Sequence, residues 1–431
     1  MSLPSSVRRA PRAYLSGSSA VIGITAISFV LTLAEIPRGD WFTLSALSLS
    51  SGVAALALMG AAALLGGRLR FVEALFGGLD RVYLAHKWLA VWALVFASVH
   101  FSFPALLQEW ETVTILSLPR FYMRLVRQLS LLALGLIVLL ALNRKIPYHR
   151  WRLLHKLSGP LFAIVVLHWL SFRNPIELES PGGVWLATMS TLGLAAAAYK
   201  LLLYRFVSNH AEYRVVNTNP GPSGLHLELA PVGKPIQFKP GQFGFISIKE
   251  DGLREPHPFT IASGRGGHVH FVIRNLGDYT SKLTRETKVG MYADIYAPYG
   301  RFVRPARAEK EVWIAGGVGI SPFLAWLTDE ETNDLSHATL FYFFTPGREF
   351  PRAARVEELA GLKNAQFVPV STGPNAPEFS ERLERIVREV GAANVQVSFC
   401  GPKGLLEHVR KELQRLGVPE SNLHFEYFEF R

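Results

Sequence analysis

The sequence predicts a multidomain protein, in which a six-helix transmembrane α bundle is followed by an antiparallel β-barrel and an α/β domain. Three patterns lead to this prediction. Long apolar runs fill the first half of the 431 residues, short alternating strands begin near residue 211, and strand, glycine-rich turn and helix units repeat after residue 310. We therefore expect domains at residues 1–208, 209–308 and 309–431.

Composition separates the two halves of the chain. Hydrophobic residues make up 49% and charged residues 18%, and Asp and Glu gather after residue 210. The net charge of +11 would suit nucleic acid, but in the first half the basic residues flank apolar runs, where they set membrane orientation, so we expect no nucleic-acid partner. The single cysteine, Cys400, excludes an internal disulfide and favours a reducing compartment for the soluble half.

Six apolar runs are long enough to cross a lipid bilayer, which takes about 20 residues. They lie at residues 19–36, 43–65, 80–106, 121–142, 151–172 and 183–206. No small-residue cleavage site closes the first run, so we expect a retained helix rather than a signal peptide.

Charges in the connections between these helices predict their orientation. By the positive-inside rule, connections rich in Arg and Lys are cytoplasmic. Basic residues precede the first helix and surround the second and fourth connections, whereas glutamates occupy the third and fifth; Arg120, Arg124 and Arg127 on the outer side are the exception. We expect both termini and the soluble half in the cytoplasm, on a bacterial-type plasma membrane.

Two predicted spans each carry two histidines. His86 and His100 belong to the third span, and His155 and His168 to the fifth. At 1.5 Å per residue, the two separations along the axis are about 21 and 20 Å. Since both spans run in the same direction, the histidines form two pairs at matched depths, as two bis-histidine haems would require. The alternative is that these imidazoles only make hydrogen bonds between helices.

The spacing of the second pair raises a geometric problem. A separation of fourteen residues returns to within about 40° of the same helix face, but thirteen residues miss it by about 140°. Gly159 and Pro160 lie between His155 and His168. We predict a kink there, because proline removes a helical hydrogen bond.

The stretch AGGVGISP, Ala315 to Pro322, follows a predicted strand and opens a helix. Glycines at this position let the backbone approach a pyrophosphate, which the helix N-terminus favours. The stretch differs from the G-x-G-x-x-G fingerprint, and a tight strand-to-helix turn uses glycine without any ligand.

Several short motifs resemble the ferredoxin-reductase superfamily. KPGQF (Lys239 to Phe243), HPFTIAS (His257 to Ser263) and RNLGDYT (Arg274 to Thr280) are similar to its flavin-binding barrel. GGVGISP, FCGP and the terminal aromatic run are similar to its nicotinamide-binding domain. Behind a six-helix, four-histidine membrane domain, they make nearly the whole chain resemble the NADPH oxidase and ferric reductase family.

The resemblance implies an FAD-binding barrel, an NAD(P)H-binding α/β domain and a set of site residues. His257, Pro258, Phe259 and Thr260 would contact the flavin, with Thr260 near its reactive edge; Gly277, Asp278 and Thr280, with Arg274 as a further candidate, would hold the flavin diphosphate. Gly316, Gly317 and Gly319 would hold the nucleotide pyrophosphate, Cys400, Gly401 and Pro402 would lie beside the nicotinamide, and Phe430 would stack on the flavin. The structural alternatives are a barrel turn for HPFT, a small buried hydrophobe for Cys400 and a core aromatic for Phe430.

Arg348 bears on which nucleotide is used. It follows the second predicted strand of the nucleotide domain, where a guanidinium can pair with a 2′-phosphate. This favours NADPH, with NADH and a solvated arginine as the alternative.

The resemblance implies electron flow from cytoplasmic NADPH through FAD and two b-type haems to oxygen, which gives superoxide. Thirteen residues intervene between His86 and His100 but twelve between His155 and His168, a difference that resembles the oxidases more than the ferric reductases. A ferric or other metal-chelate reductase is the alternative, and a cytochrome-b-type anchor for a separate protein is a third possibility. Without an EF-hand loop, we expect no obligatory protein activator.

Overall fold

The computed structural model describes residues 14–107, 110–143, 145–146, 148–221, 224–264, 266–305, 308–347, 349 and 353–426. The chain divides into two compact units, one formed by Arg12–Ser208 and the other containing Asn209–Arg431.

The described part of the first unit consists of helices joined by loops, with one isolated β-bridge between Val113 and Asn174. Its helices are α1 (Gly17–Ala34), α2 (Leu44–Gly66), α3 (Arg70–Phe76), α4 (Leu79–Ser102), α5 (Arg120–Leu142), α6 (Tyr148–His155), α7 (Ser158–Ser171), α8 (Pro181–Ala198) and α9 (Tyr204–Val207). Among the described residues, five stretches are long and apolar enough to cross a membrane: α1, α2, α4, Arg150–Ser171 and Pro181–Val207. These confirm the predicted apolar helical region. The fourth predicted span, residues 121–142, coincides with α5, which is not among the five.

The fifth predicted span contains a break rather than a smooth bend. α6 ends at His155 and α7 begins at Ser158, so the helix is interrupted at residues 156–157. The hydroxyl of Ser158 donates to the carbonyl of His155 at 2.7 Å. Pro160 then lies in the first turn of α7, where a missing N–H group removes no helical hydrogen bond. The interruption therefore comes just before the predicted Gly159–Pro160 position.

Helix α2 is the most enclosed of the five candidate spans, with 72% of its apolar window buried. Its small side chains allow close packing against α8. A Cβ placed on Gly60 would lie 2.4 Å from the carbonyl oxygen of Met189, and one on Gly193 would lie 2.7 Å from the Cα of Gly60. Such contacts between small residues are how helices pack in a membrane, where burial of apolar surface gives little driving force.

The second unit begins with a closed antiparallel barrel. Its strands are β1 (His210–Gly221), β2 (Gly224–Pro231), β3 (Phe243–Ile248), β4 (His257–Ser263), β5 (Val269–Arg274) and β6 (Tyr292–Tyr299), in the order β1-β2-β5-β4-β3-β6. Alternate residues such as Leu225, Leu227 and Leu229 fill its core. The predicted barrel is confirmed. HPFTIAS forms strand β4, so its interpretation as a barrel turn is wrong.

A parallel sheet follows the barrel. Its strands are β7 (Lys310–Gly316), β8 (Ala338–Phe343), β9 (Gln366–Val370), β10 (Val395–Cys400) and β11 (Leu423–Phe425), in the order β11-β10-β7-β8-β9. The helices of this unit are α10 (Asp278–Glu286), α11 (Ser321–Thr328), α12 (Ala353–Leu362), α13 (Pro377–Val390) and α14 (Lys403–Arg415). Buried side chains pack on both faces of the sheet, as strands connected through helices require.

The barrel and the parallel sheet share a hydrophobic core. Ala262 of β4 and Val272 of β5 are buried in the same cluster as Trp326 of α11. The indole N–H of Trp326 donates to the carbonyl of Pro240 at 3.0 Å. Gly241 beside it has φ +97, and a Cβ there would lie 2.0 Å from the carbonyl oxygen of Phe302. This glycine of the KPGQF motif is therefore required by the close approach of the two backbones.

Candidate active site

The four predicted histidines form two facing pairs inside the helical unit. The ring centroids of His86 and His155 are 6.0 Å apart with an interplanar angle of 80°, and those of His100 and His168 are 6.5 Å apart with an angle of 89°. Although α6 and α7 are separated by a break, His155 of α6 and His168 of α7 both face histidines of α4.

Helix α2 holds both histidines of α4 by its backbone. Nδ1 of His86 lies 2.8 Å from the carbonyl oxygen of Ala62, and Nδ1 of His100 lies 3.0 Å from that of Ser48. A carbonyl oxygen only accepts, so both Nδ1 atoms carry the proton and both Nε2 atoms have a free lone pair.

The other two histidines are oriented by aromatic rings instead. His155 stacks on Trp151 with centroids 4.7 Å apart, and His168 stacks on Phe172 with centroids 4.4 Å apart. Nδ1 of His168 is buried and has no hydrogen-bond partner among the residues that the structure describes. Each stacking partner is four residues from its histidine, one helical turn away.

The pairs fit an iron ion whose remaining ligands come from a macrocycle. Two metal–nitrogen bonds of about 2.0 Å, each continued by about 1.1 Å to the ring centre, span about 6.2 Å. The observed separations of 6.0 and 6.5 Å bracket that value. In the described parts of the chain, no group of three or more His, Cys, Asp or Glu side chains could hold a metal ion. Two imidazoles are too few for a bare ion, but they would suit a haem iron, whose macrocycle supplies the other ligands.

The predicted flavin-contacting residues lie together on β4. His257, Pro258, Phe259 and Thr260 are each partly exposed, although the neighbouring Ile261 and Ala262 are buried. The ring of His257 stacks on Tyr279 of α10, with centroids 3.7 Å apart. This stacking joins the HPFT strand to the segment predicted to hold the flavin diphosphate.

The loop before α10 is closed by Thr280. Its hydroxyl oxygen accepts from the N–H groups of Leu276 at 2.9 Å and Gly277 at 3.0 Å. Thr280 therefore shapes the turn. Asp278 begins α10, and the first N–H groups of a helix have no acceptor within the helix. A helix N-terminus of this kind suits a phosphate group.

Two glycine-containing loops meet at the carboxyl ends of β7 and β10. A Cβ on Gly316 would lie 2.6 Å from Cδ of Pro402, and one on Gly401 would lie 3.1 Å from the backbone nitrogen of Gly316. A Cβ on Gly319 would lie 2.1 Å from the carbonyl oxygen of Cys400. The structure thus brings the predicted pyrophosphate loop and the predicted nicotinamide loop into backbone contact, at the edge where parallel sheets bind ligands.

The first of these two loops lies beside a positive charge, and the second carries a buried thiol. Gly317 has φ +56, and its Cβ position would lie 3.4 Å from Nη1 of Arg274 on the barrel, so a guanidinium reaches the nucleotide loop. Cys400 is 2% exposed. Burial, with a smaller contribution from the charge of Glu426, raises the pKa of the Cys400 thiol well above its usual value, which keeps the thiol neutral.

Glu426 is a residue of this site that the sequence interpretation missed. It is 9% exposed, and its Oε1 accepts from the backbone N–H groups of Arg301 and Phe302, the latter at 2.9 Å. The sequence feature that could have indicated Glu426 is its position as a carboxylate inside the terminal aromatic run. Two other predicted residues, Arg348 and Phe430, lie outside the described residues.

Comparison with known families divides the chain in the same way. Residues 51–166 match the ferric reductase like transmembrane component, and residues 211–302 match an FAD-binding domain. Both matches cover segments that the fold assigns to the helical unit and to the barrel.

Curated relatives cover about half of the chain or less. The reductase component of propane 2-monooxygenase from Rhodococcus jostii (strain RHA1) is 27% identical over 221 residues, which is 47% of this chain and 59% of that protein. The reductase subunit of carnitine monooxygenase from Escherichia coli (strain K12) is 31% identical over 149 residues, 34% of this chain and 43% of that protein. The chain thus spans less than two thirds of the length of either relative.

A solved structure supports the fold. The flavohemoglobin from Malassezia yamatoensis, with bound FAD and heme, aligns with a TM-score of 0.50 over 94% of this chain and 99% of its own, at 18% identity. At this identity the likeness concerns the fold alone. The two family matches identify the domain combination, a ferric reductase like transmembrane component followed by an FAD-binding domain, and this combination matches the NADPH oxidase and ferric reductase family that the sequence resembles.

Proposed function

We propose that this protein takes electrons from NADPH and delivers them across a membrane to molecular oxygen, producing superoxide. The observation that carries the proposal is the presence of two facing histidine pairs in the unit that matches a ferric-reductase-like transmembrane component. Per NADPH oxidised, two electrons reduce two oxygen molecules and one proton is released, so the reaction balances without a further reactant.

The proposed cofactors are FAD and two b-type haems. When bound, flavin accepts a hydride and passes single electrons to haem iron, which carries them through the apolar layer. His86 and His155 would hold one iron, and His100 and His168 the other. The α2 carbonyls and the two stacked aromatic rings contact the four imidazoles and would orient them as ligands.

At the other end of the route, the residues around Cys400 would bind and orient the nicotinamide. The glycine loop would accept the pyrophosphate through backbone N–H groups, and the Arg274 guanidinium lies close enough to Gly317 to add positive charge. The buried neutral thiol of Cys400 would place a small uncharged group beside a ring that gives up hydride, and would leave no ionised group to trap the positive charge that develops.

A metal-chelate reductase is the second candidate, because the matched transmembrane family is named for ferric reductase. It would use the same residues and differ only in the acceptor. The unequal histidine spacing, with thirteen and twelve intervening residues, resembles the oxidases more than the ferric reductases, and this resemblance favours oxygen.

The haem assignment is tested by the optical spectrum and haem content of the purified protein. We expect two low-spin haems per chain, and loss of one on His86→Ala or His155→Ala and of the other on His100→Ala or His168→Ala. His149→Ala, in the same unit but in neither pair, is the matched control and should retain both. Unchanged haem content in all four variants would contradict the proposal.

The acceptor is tested by two assays on the same preparation. NADPH-dependent cytochrome c reduction that superoxide dismutase abolishes would support an oxidase. Faster anaerobic reduction of a ferric chelate, with negligible superoxide in air, would support the reductase instead. Activity of the purified chain alone would argue against an anchor or an obligatory activator, and complete dependence on an added protein would support one.

A further inference from the structure

Helix α2 repeats one arrangement at the two histidines of α4. The carbonyl of Ser48 accepts from His100 Nδ1, and the carbonyl of Ala62 accepts from His86 Nδ1. Four residues after each carbonyl stands a glycine, Gly52 and Gly66, which faces the same imidazole. The members of each pair, whether carbonyls, glycines or histidines, are fourteen residues apart. Fourteen residues make about four helical turns, so both sets of contacts lie on the same face of α2.

The two copies differ in how closely the glycine approaches the ring. A Cβ on Gly52 would lie 2.9 Å from Nδ1 and 3.1 Å from Cγ and Cε1 of His100, and these are the three nearest atoms. A Cβ on Gly66 would lie 3.7 Å from Cε1 of His86, which is ordinary van der Waals contact. Only the first copy therefore requires glycine.

The close approach of Gly52 restricts the position of the His100 ring. The ring is held on one side by the 3.0 Å bond to the Ser48 carbonyl, and the Ser48 hydroxyl donates back to the His100 carbonyl at 3.3 Å. A methyl group at position 52 would push the ring away from α2, which would lengthen the Nδ1 bond and rotate the imidazole plane. That plane now stands at 89° to the ring of His168.

We propose that Gly52 is a positioning residue that sets the orientation of His100 as an axial ligand, and that α2 aligns both α4 histidines through its Ser48 and Ala62 carbonyls. The inference rests on the proposed function for the presence of haem. Through the Nδ1 bond, α2 fixes the tautomer and raises the basicity of the ligating nitrogen, and both properties influence the potential of a bound iron.

The test compares Gly52→Ala with Gly66→Ala in the full-length, haem-loaded protein. The EPR g values of a low-spin bis-imidazole iron depend on the angle between the ligand planes, and redox titration gives a potential for each haem. We expect Gly52→Ala to shift the g values and potential of one haem, or to remove it, and to leave the other as in wild type. Gly66→Ala should leave both unchanged.

The outcomes separate this inference from the proposed function. A wild-type protein without two low-spin signals would overturn both. Two wild-type signals that Gly52→Ala leaves unaltered, or that Gly66→Ala disturbs equally, would overturn the role of Gly52 alone.

A double variant keeps the test decisive when Gly52→Ala alone cannot be purified. His100→Ala removes the ring that supplies the three described atoms nearest to the new methyl, so Gly52→Ala/His100→Ala should fold as well as His100→Ala and retain the other haem. Failure of the double variant, with His100→Ala itself intact, would show that the methyl disturbs something other than the ring and would overturn the inference.

Discussion

Gly319 lies directly against the backbone of Cys400, so that the first turn after β7 and the end of β10 touch without any side chain between them. A Cβ at Gly319 would come within 2.1 Å of the Cys400 carbonyl oxygen. Backbone atoms cannot move aside as a flexible side chain can, so this contact fixes the distance between the two loops proposed to hold the nucleotide.

Gly319→Ala should therefore damage the nucleotide site. We expect a loss of about 1–3 kcal/mol in the free energy of unfolding and a large fall in NADPH-dependent flavin reduction, because one loop must shift. Gly361→Ala is the control, since nothing lies within 4 Å of the new methyl in α12. There we expect unchanged flavin reduction and a gain of about 0.5–1 kcal/mol from the better helix former. Thermal unfolding and stopped-flow reduction measure both effects, and equal behaviour of the two variants would contradict the assignment.

Pro160→Ala should weaken haem binding at the His100 and His168 pair. Without proline, α6 and α7 can join into one regular helix, in which histidines thirteen residues apart miss the same face by about 140°. We expect fewer than two haems per flavin in the purified variant. Gly135→Ala in α5, where nothing lies within 4 Å, is the control and should keep both. Full haem content in Pro160→Ala would show that other contacts maintain the break.

The preference for NADPH is expected to depend on Arg348. A charge-assisted hydrogen bond contributes about 1.5–3 kcal/mol, which corresponds to about a ten- to hundredfold change in affinity. Arg348→Ser should raise the KM for NADPH by that factor and leave the KM for NADH nearly unchanged. Steady-state kinetics with both nucleotides measures the two KM values. An equal rise in the KM for NADPH and for NADH would contradict a contact between Arg348 and the 2′-phosphate.

The raised pKa of Cys400 predicts an inert thiol with an alkaline effect on stability. An unfolded cysteine titrates near a pKa of about 8.5, so above that pH the unfolded chain loses a proton that the folded chain keeps. The contribution of Cys400 to stability is thus fully present below that pH and is lost as pH rises towards the folded pKa. We expect Cys400→Ala to reduce the alkaline fall in melting temperature.

The same thiol offers a direct chemical measurement, because it is the only cysteine in the chain. At pH 7.5, iodoacetamide should modify the denatured protein within minutes and the folded protein far more slowly, as followed by intact mass. Rapid modification of the folded protein would show that Cys400 is ionised or accessible.

The sequence predicted the apolar helices, the barrel and the α/β domain well, because each has a strong local pattern. Hydrophobic runs place α2 and α4 within a few residues of their observed ends. The break at residues 156–157 was predicted a few residues too late, because proline at Pro160 is compatible with a helix that starts immediately before it.

Other features had no local pattern to predict them. The carbonyls of Ser48 and Ala62 act through backbone atoms that every residue possesses, so nothing in their side chains indicates an imidazole partner. The role of Gly52 depends on the tertiary approach of α2 to α4, and the role of Glu426 depends on where the chain after β11 returns to the barrel. Such contacts follow from packing and not from periodicity.

The junction between barrel and parallel sheet has a consequence for the timing of catalysis. Trp326 reaches the Pro240 carbonyl, Glu426 holds the N–H groups of Arg301 and Phe302, and Ala262 and Val272 lie in the core of the neighbouring domain. Because the two domains share an apolar core and these hydrogen bonds, we expect them to move together rather than to open and close on each turnover. The gap that a hydride would cross is thus set when the polypeptide folds, and turnover would wait on nucleotide exchange rather than on domain closure.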